Sequence, residues 1–100
     1  MTFDLVFARA AQEELERLER SPQHSGLVKQ IKKTLSLLQS NLRHPSLQTH
    51  VFHSWKHPYR SGDKVFVAYV QQHTSSAYRV FWCYGPEQYQ ITLMAITPHP

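Results

Sequence analysis

The sequence predicts an α+β domain in which two N-terminal helices pack on one face of a small antiparallel sheet, in the order β-α-α-β-β-β. Three observations predict this fold. The length of 100 residues suffices for a single two-layer core and not for two. Apolar residues recur at helical spacing in the first half of the chain, whereas the last third is rich in aromatic and β-branched residues. We therefore expect one domain that spans residues 1–100.

The first strand and the first helix are predicted at the N-terminus. Phe3, Leu5 and Phe7 occupy alternate positions, which is typical of a short strand. From Ala8 onward the apolar residues are spaced by three and four, which places them on one face of a helix that ends near Arg20. The residues on that face are Ala8, Ala11, Leu15 and Leu18.

A proline near each end defines the second predicted helix. Ser21-Pro22 is typical of an N-cap followed by proline at the first helical position. Pro45 disfavours helical backbone at His44, so we expect the helix to end by about Arg43. Its apolar face consists of Leu27 or Val28, Ile31, Leu35 and Leu38, and its opposite face carries Lys29, Lys32 and Lys33.

Residues 44–64 form the least regular segment of the chain. Pro45, Pro58 and Gly62 interrupt it, and we expect a short strand between Leu47 and Trp55. Long loops in small domains often carry function. The segment also contains four of the seven histidines, which are His44, His50, His53 and His57.

A meander of three strands is predicted in the last third. Turns at His73–Ser76 and Gly85–Gln88 connect the strands. In the middle strand, alternate side chains from Tyr78 to Tyr84 face one side, and Arg79, Phe81 and Cys83 face the other. The predicted strands are Val65–Gln71, Tyr78–Tyr84 and Tyr89–Thr97.

Charge is distributed unevenly along the chain. The formal net charge is +4, but residues 1–20 carry three basic and five acidic residues, a net of −2. Residues 21–100 carry eight basic and two acidic residues, a net of +6, and all seven histidines. A basic, histidine-rich region indicates an anionic partner, either nucleic acid or an acidic protein, although solubility alone also explains a charge of this size.

Composition excludes several classes of protein. Cys83 is the single cysteine, so an internal disulfide and any multi-cysteine metal site are excluded, and we interpret it as a small core residue. The N-terminus lacks the apolar stretch of a signal peptide, and no apolar stretch reaches the roughly 20 residues that span a membrane. We expect a cytoplasmic protein that has no membrane partner and needs no cofactor.

Arg79 and His99 are the strongest candidates for chemistry. If the helices cover the face of Tyr78 and Trp82, Arg79 lies on the open face beside Phe81, where a guanidinium fixed on a strand can bind phosphate. The alternative is an exposed arginine that covers its neighbours or pairs with Glu87. His99 lies between two prolines after the last strand, and its imidazole can act as general acid or base; a frayed terminus is the alternative.

The histidines of the irregular segment predict no metal site. His50 and His53 form an H-x-x-H pair with His57 nearby, but no helix is predicted there. No carboxylate lies between Glu19 and Asp63 to complete a set of ligands. We expect these histidines either to help bind an anion or to pack beside Phe52 and Trp55.

The whole chain resembles the RelE/ParE toxin superfamily. The resemblance rests on the order of elements, the acidic first helix, the run from Ala77 to Trp82, and the closing run from Ile91 to Pro100. It implies the toxin of a bacterial type II toxin–antitoxin pair, with a cognate small antitoxin as protein partner. RelE-like members cleave mRNA on the ribosome without a metal, whereas ParE-like members poison DNA gyrase.

The resemblance also assigns residue roles. It places Arg79 where RelE-like enzymes bind phosphate, and His99 near the position of a catalytic arginine or histidine. The preceding strand lacks the lysines of RelE, and Lys64 lies just before it. We expect an endoribonuclease with RNA and the ribosome as partners, and the alternatives are a gyrase-inhibiting toxin or a non-catalytic partner-binding module. Further candidates, for RNA contact or as general base, are Lys64, Tyr69, His50 and His53; Tyr84 is a candidate for stacking an RNA base.

Overall fold

A computed structural model describes residues 2–72 and 76–98 of the chain. It contains two α-helices, five β-strands and two short 3₁₀ turns, Pro22–His24 and Pro45–Leu47. The helices are α1 (Arg9–Glu19) and α2 (Ser25–Ser40), and the strands are β1 (Asp4–Phe7), β2 (His50–Val51), β3 (Phe66–Tyr69), β4 (Tyr78–Tyr84) and β5 (Gln90–Pro98).

The five strands form one sheet in the order β1-β5-β4-β3-β2. Strands β2 to β5 are an antiparallel meander, as predicted for its last three members, and β2 is the short strand expected between Leu47 and Trp55. The sheet differs from the predicted one because β1 pairs with β5 in parallel. The two helices carry the chain across the sheet between β1 and β2, so these strands lie at opposite edges.

The helices cover one face of the sheet and bury the main core against it. Val80 and Trp82 of β4 are buried there, and Tyr78 packs against the same core, which confirms the face predicted for these positions. Helix α2 begins at Ser25, later than predicted, because Pro22–His24 form a 3₁₀ turn first. It ends at Ser40. The buried core residues of the helices are Ala11, Leu18, Ile31, Leu35 and Leu38.

The sequence predicted that the opposite face of the sheet is open beside Phe81, but the structure shows that this face is covered there. Phe81 is 0% exposed. Residues 52–63, here called the covering loop, lie on this face, and the Phe52 and Trp55 rings lie 4.9 and 4.7 Å from the Phe81 ring. The prediction was wrong because Phe52 and Trp55 also require burial, and Phe81 is the apolar surface that they cover.

Three further predictions concern the lysines of α2, membrane-spanning segments and the turn at His73–Ser76. Lys29, Lys32 and Lys33 are all exposed, and Lys32 pairs with Glu19 of α1 at 3.1 Å. Among the described residues, no helix has the length and apolar character needed to cross a membrane. Three of the four residues of the predicted turn His73–Ser76 lie outside the described part of the chain.

Candidate functional site

Arg79, Tyr69 and His50 come together at one end of the sheet. Arg79 of β4 is the register partner of Tyr69 in β3, so the two side chains lie on the same face. The guanidinium carbon of Arg79 lies 4.0 Å from the centre of the Tyr69 ring, a cation–π contact. The His50 ring contacts the same tyrosine edge-on, with 5.9 Å between ring centres. These three predicted residues therefore form one cluster, here called the Arg79 cluster.

Backbone carbonyls hold the Arg79 guanidinium in place. Its Nη1 donates to the carbonyl of Ala77 at 2.9 Å, and more weakly to those of Gln71 at 3.3 Å and Tyr78 at 3.4 Å. Its Nε is buried and has no partner among the described residues. Glu87, the alternative partner considered above, lies in the turn beyond the opposite end of β4. The guanidinium is thus fixed by neutral acceptors, and none of the described carboxylates pairs with it.

Gln71 organises the same end of the sheet, a role that sequence reasoning missed. Its side-chain oxygen accepts a hydrogen bond from the Tyr78 N–H at 3.1 Å. Its own N–H donates to the Tyr78 carbonyl at 3.3 Å, and its carbonyl accepts from Arg79. Gln71 therefore connects the end of β3 to the guanidinium. A glutamine after a strand carries no sequence pattern that distinguishes it from its neighbour Gln72.

A charged network on the helix side fixes the start of β4. The Tyr78 hydroxyl donates to Glu14 of α1 at 2.6 Å, and Arg17 donates to both oxygens of that carboxylate at 2.8 and 3.0 Å. The hydrogen bond from Arg17 lowers the pKa of Glu14. Burial, followed by the hydrogen bond to Glu14, raises the pKa of Tyr78. Helix α1 is thereby attached to the residue that precedes Arg79.

Lys64 and Tyr84 lie away from the Arg79 cluster. Tyr84 ends β4, about 16 Å from Arg79 at roughly 3.3 Å per residue, and its side chain points to the other face. Lys64 and Tyr84 line a pocket of about 280 Å³ at this end, together with Phe66 and residues of the covering loop. The predicted site residues therefore fall into two groups. His53 belongs to neither group and is exposed in the turn after β2.

His57 anchors the covering loop and is not available for chemistry. Its Nδ1 accepts hydrogen bonds from the backbone N–H groups of Tyr59 at 3.1 Å and Arg60 at 3.0 Å. Its Nε2 lies 2.8 Å from the Tyr84 carbonyl, to which it must donate, so the ring is the neutral Nε2–H tautomer. Of the two alternatives expected for the loop histidines, anion binding does not apply to His57, which is 8% exposed and has both ring nitrogens engaged. Its ring packs edge-on against an aromatic residue of the loop, Tyr59, with 5.8 Å between ring centres.

Cys83, His99 and a metal site are the remaining candidates from the sequence. Cys83 is buried, and burial raises the pKa of its thiol to about 11, which confirms the interpretation as a core residue. His99 lies outside the described residues; β5 ends at Pro98, whose register partner is Tyr78 beside Arg79. Within residues 2–72 and 76–98, no three histidine, cysteine or acidic side chains are close enough to hold a metal ion.

Two helices lie on one face of a five-stranded, mostly antiparallel sheet with β1 beside β5, and solved structures of a YoeB/ParE toxin and of RelE share this fold. The chain is similar to a YoeB/ParE toxin from Agrobacterium tumefaciens, with a TM-score of 0.70 and 9% identity over 98% of this chain and 100% of that chain. It is similar to RelE in an archaeal RelE–RelB complex from Pyrococcus horikoshii, with a TM-score of 0.65 and 13% identity over 98% and 96% of the two chains.

A third similar structure is a heterotetrameric YoeB–YefM toxin–antitoxin complex from Staphylococcus aureus. Its TM-score is 0.61, with 12% identity over the whole of both chains. No protein-family model matches the sequence, and no curated protein sequence matches it either. At these identities the similarity establishes the fold alone, and the activity has to be inferred from the residues of the chain itself.

Proposed function

We propose that this chain is the toxin of a type II toxin–antitoxin pair and that it cleaves mRNA at the ribosome without a metal ion. The observation that carries the proposal is the Arg79 guanidinium, fixed over Tyr69 by backbone carbonyls and bound to no carboxylate among the described residues. Such a group is suited to a phosphate of RNA. The basic character of residues 21–100 supports the same choice of partner.

The reaction would be a transfer of the scissile phosphate within the RNA. The 2′-oxygen of one nucleotide forms a bond to the adjacent phosphorus and loses its proton to a general base. The bond from phosphorus to the 5′-oxygen breaks, and that oxygen receives a proton from a general acid. The products are a 2′,3′-cyclic phosphate and a 5′-hydroxyl, and Arg79 stabilises the charge that develops on the phosphoryl oxygens.

The proton-transfer roles are assigned to three candidates, His99, His50 and Tyr69. We assign His99 as general acid or base because it follows Pro98, the residue at which β5 ends beside the start of β4. His50 and Tyr69 are the remaining candidates for the base, since both belong to the Arg79 cluster. His53, Lys64 and Tyr84 are assigned to RNA contact only, because they lie outside that cluster.

An antitoxin is the protein partner that we propose. The P. horikoshii structure is a complex of RelE with RelB. An acidic protein would complement the net charge of +6 on residues 21–100. We expect it to cover Arg79 and so to block access of RNA to the guanidinium.

The proposal is tested with purified protein, ribosomes and mRNA in the presence of a metal chelator. We expect cleavage at discrete sites by the wild-type protein and its loss in Arg79→Ala and in His99→Ala, with Gln72→Ala as an active control. Continued cleavage by both folded variants would show the assignment to be wrong.

The alternative that the sequence left open is a ParE-like toxin acting on gyrase. One of the similar structures is a YoeB/ParE toxin, a name that includes ParE. Loss of supercoiling and accumulation of DNA breaks, without RNA cleavage, would select this function. Harmless expression of the folded protein would instead favour a partner-binding module.

A further inference from the structure

The pocket at the Tyr84 end of β4 contains none of the residues to which phosphate stabilisation or proton transfer is assigned. Its volume is about 280 Å³, and it lies between the end of the covering loop and the aromatic side chains of β3 and β4. Its position at the far end of β4, about 16 Å from Arg79 at roughly 3.3 Å per residue, separates it from the Arg79 cluster. The lining residues are His57, Gly62, Asp63, Lys64, Phe66 and Tyr84.

Tyr84 provides a rigid aromatic surface to this pocket. Its ring packs edge-on against Trp82 at 5.1 Å and Phe66 at 5.9 Å, and it also contacts Phe3 at 5.9 Å. These contacts fix the orientation of the ring, yet 41% of the residue remains exposed. An exposed ring that is already fixed loses little conformational freedom when a second aromatic group stacks on it.

The pocket is lined by one basic and one acidic side chain, Lys64 and Asp63. Lys64 is exposed and forms no hydrogen bond or ion pair with any described residue. The one acidic side chain of the pocket, Asp63, is paired with Arg60 at 2.9 Å. Both ring nitrogens of His57 are occupied by backbone groups, so this residue contributes shape rather than charge. Lys64 is therefore the group that would meet an anion.

We propose that this pocket binds one nucleotide of single-stranded RNA, with the base stacked on Tyr84 and the phosphate at Lys64. A flat aromatic surface beside an unpaired cation matches the two parts of a nucleotide, and proteins that bind single strands combine the same two features. Beyond the pocket, Lys56 and Arg60 of the covering loop extend the positive surface. The inference rests on the proposed function in taking RNA as the source of the nucleotide.

Binding of nucleoside 5′-monophosphates, followed by NMR titration of the intact chain, tests the inference. We expect at least one monophosphate to bind more than about 5-fold more tightly than its nucleoside or inorganic phosphate. Tyr84→Leu, which keeps apolar bulk but removes the ring, should weaken binding by about 5-fold or more, the lower bound measured for base stacking. Tyr84→Phe should bind as the wild-type protein does.

Two further variants complete the comparison. Lys64→Gln changes an exposed side chain and leaves the fold intact; we expect it to weaken monophosphate binding about 2- to 5-fold and to reduce its dependence on salt. Tyr89 is a matched control, because it is 48% exposed and lies outside the pocket. The backbone at Tyr89 has a φ of 62°, which asparagine adopts more readily than most residues. Tyr89→Asn should therefore bind as the wild-type protein does.

The outcomes separate this inference from the proposed cleavage. Suppose that the wild-type protein cleaves no RNA but binds nucleotides, and that this binding is lost in Tyr84→Leu and Lys64→Gln. The proposal for the pocket would then stand, and the proposal of RNA cleavage would be rejected. If the wild-type protein cleaves RNA, but Tyr84→Leu and Lys64→Gln bind monophosphates with unchanged affinity, the proposal for the pocket is overturned. Equal affinity for inorganic phosphate and monophosphates would also overturn it, as would a pocket that binds only an acidic protein segment.

Discussion

The two ends of β4 hold polar groups in different ways. At the Arg79 end, carbonyl groups fix a cation over Tyr69, and no carboxylate among the described residues neutralises it. At the Tyr84 end, the covering loop is anchored by its own hydrogen bonds and leaves an exposed ring beside Lys64. Between them, Phe81 is buried under the loop. The first arrangement suits chemistry at a phosphate, and the second suits binding.

The largest expected effect is at the buried middle of β4. Phe81→Ala removes a side chain that is 0% exposed and packed against Phe52 and Trp55. We expect the free energy of unfolding to fall by about 3–5 kcal/mol in urea denaturation. Tyr89→Asn, at an exposed position, should change it by less than about 0.5 kcal/mol. A loss below about 1 kcal/mol for Phe81→Ala would mean that the loop does not cover this face.

The anchor at the Tyr84 end is tested by two histidine variants. His57→Ala leaves the N–H groups of Tyr59 and Arg60 without their acceptor, so we expect a loss of about 2–3 kcal/mol and proteolysis within residues 57–63. His53→Ala is the matched control at an exposed position and should stay within about 0.5 kcal/mol of the wild-type protein. Equal effects of the two variants would contradict the role given to His57.

The Arg79 end is tested by two glutamine variants. Gln71→Met removes the acceptor of the Tyr78 N–H and loosens the hairpin that holds Arg79. We expect kcat for RNA cleavage to fall about 10-fold, or 1.4 kcal/mol in activation free energy. Gln72→Met also loses a side-chain hydrogen bond, to the Ser46 carbonyl, and should keep full activity. If both variants cleave equally well, Gln71 does not position the guanidinium.

The smallest expected effect concerns the network of Glu14, Arg17 and Tyr78. The folded-state pKa of Glu14 lies below its ordinary value of 4.5, so its carboxylate stabilises the fold above that pH, and the stabilisation is lost as the pH falls through the lowered pKa. Glu14→Gln should lower the free energy of unfolding by up to about 1 kcal/mol at pH 7.

The difference between Glu14→Gln and the wild-type protein should disappear in acid. Glu13→Gln is the control, because Glu13 pairs with Arg9 in an exposed ion pair and should contribute less than about 0.5 kcal/mol at pH 7. Urea denaturation across the acidic range measures both variants. A difference that persists at the lowest pH would show that Glu14 acts by packing rather than by charge.

The fold was predictable because its signals are local. The helical spacing of Ala11, Leu15 and Leu18 and the alternation within Tyr78–Tyr84 each determine one buried face without information from the rest of the chain. The parallel pairing of β1 with β5 was not predictable in this way, because it joins residues at opposite ends of the sequence. Only the path of the two helices decides which edge β1 occupies.

The candidate site was predictable in part for the same reason. Arg79 was identified from its position within a strand, and its register with Tyr69 follows from antiparallel pairing. The roles of Gln71 and His57 depend on hydrogen bonds to backbone groups that are distant in sequence or within a turn, and these leave no pattern in residue type. Alternation along β4 already places Tyr84 on the face opposite to Arg79, so its separation from the Arg79 cluster was predictable, whereas the position of Lys64 beside Tyr84 depends on the covering loop.

Single-turnover cleavage of ribosome-bound mRNA by Arg79→Lys tests the central claim most directly. Lysine keeps the positive charge but lacks the planar guanidinium that stacks on Tyr69 while backbone carbonyls hold its Nη1. We predict that the wild-type protein yields 2′,3′-cyclic phosphate ends, and that the folded Arg79→Lys variant cleaves at least about 100-fold more slowly. Equal rates for the two proteins would contradict the account.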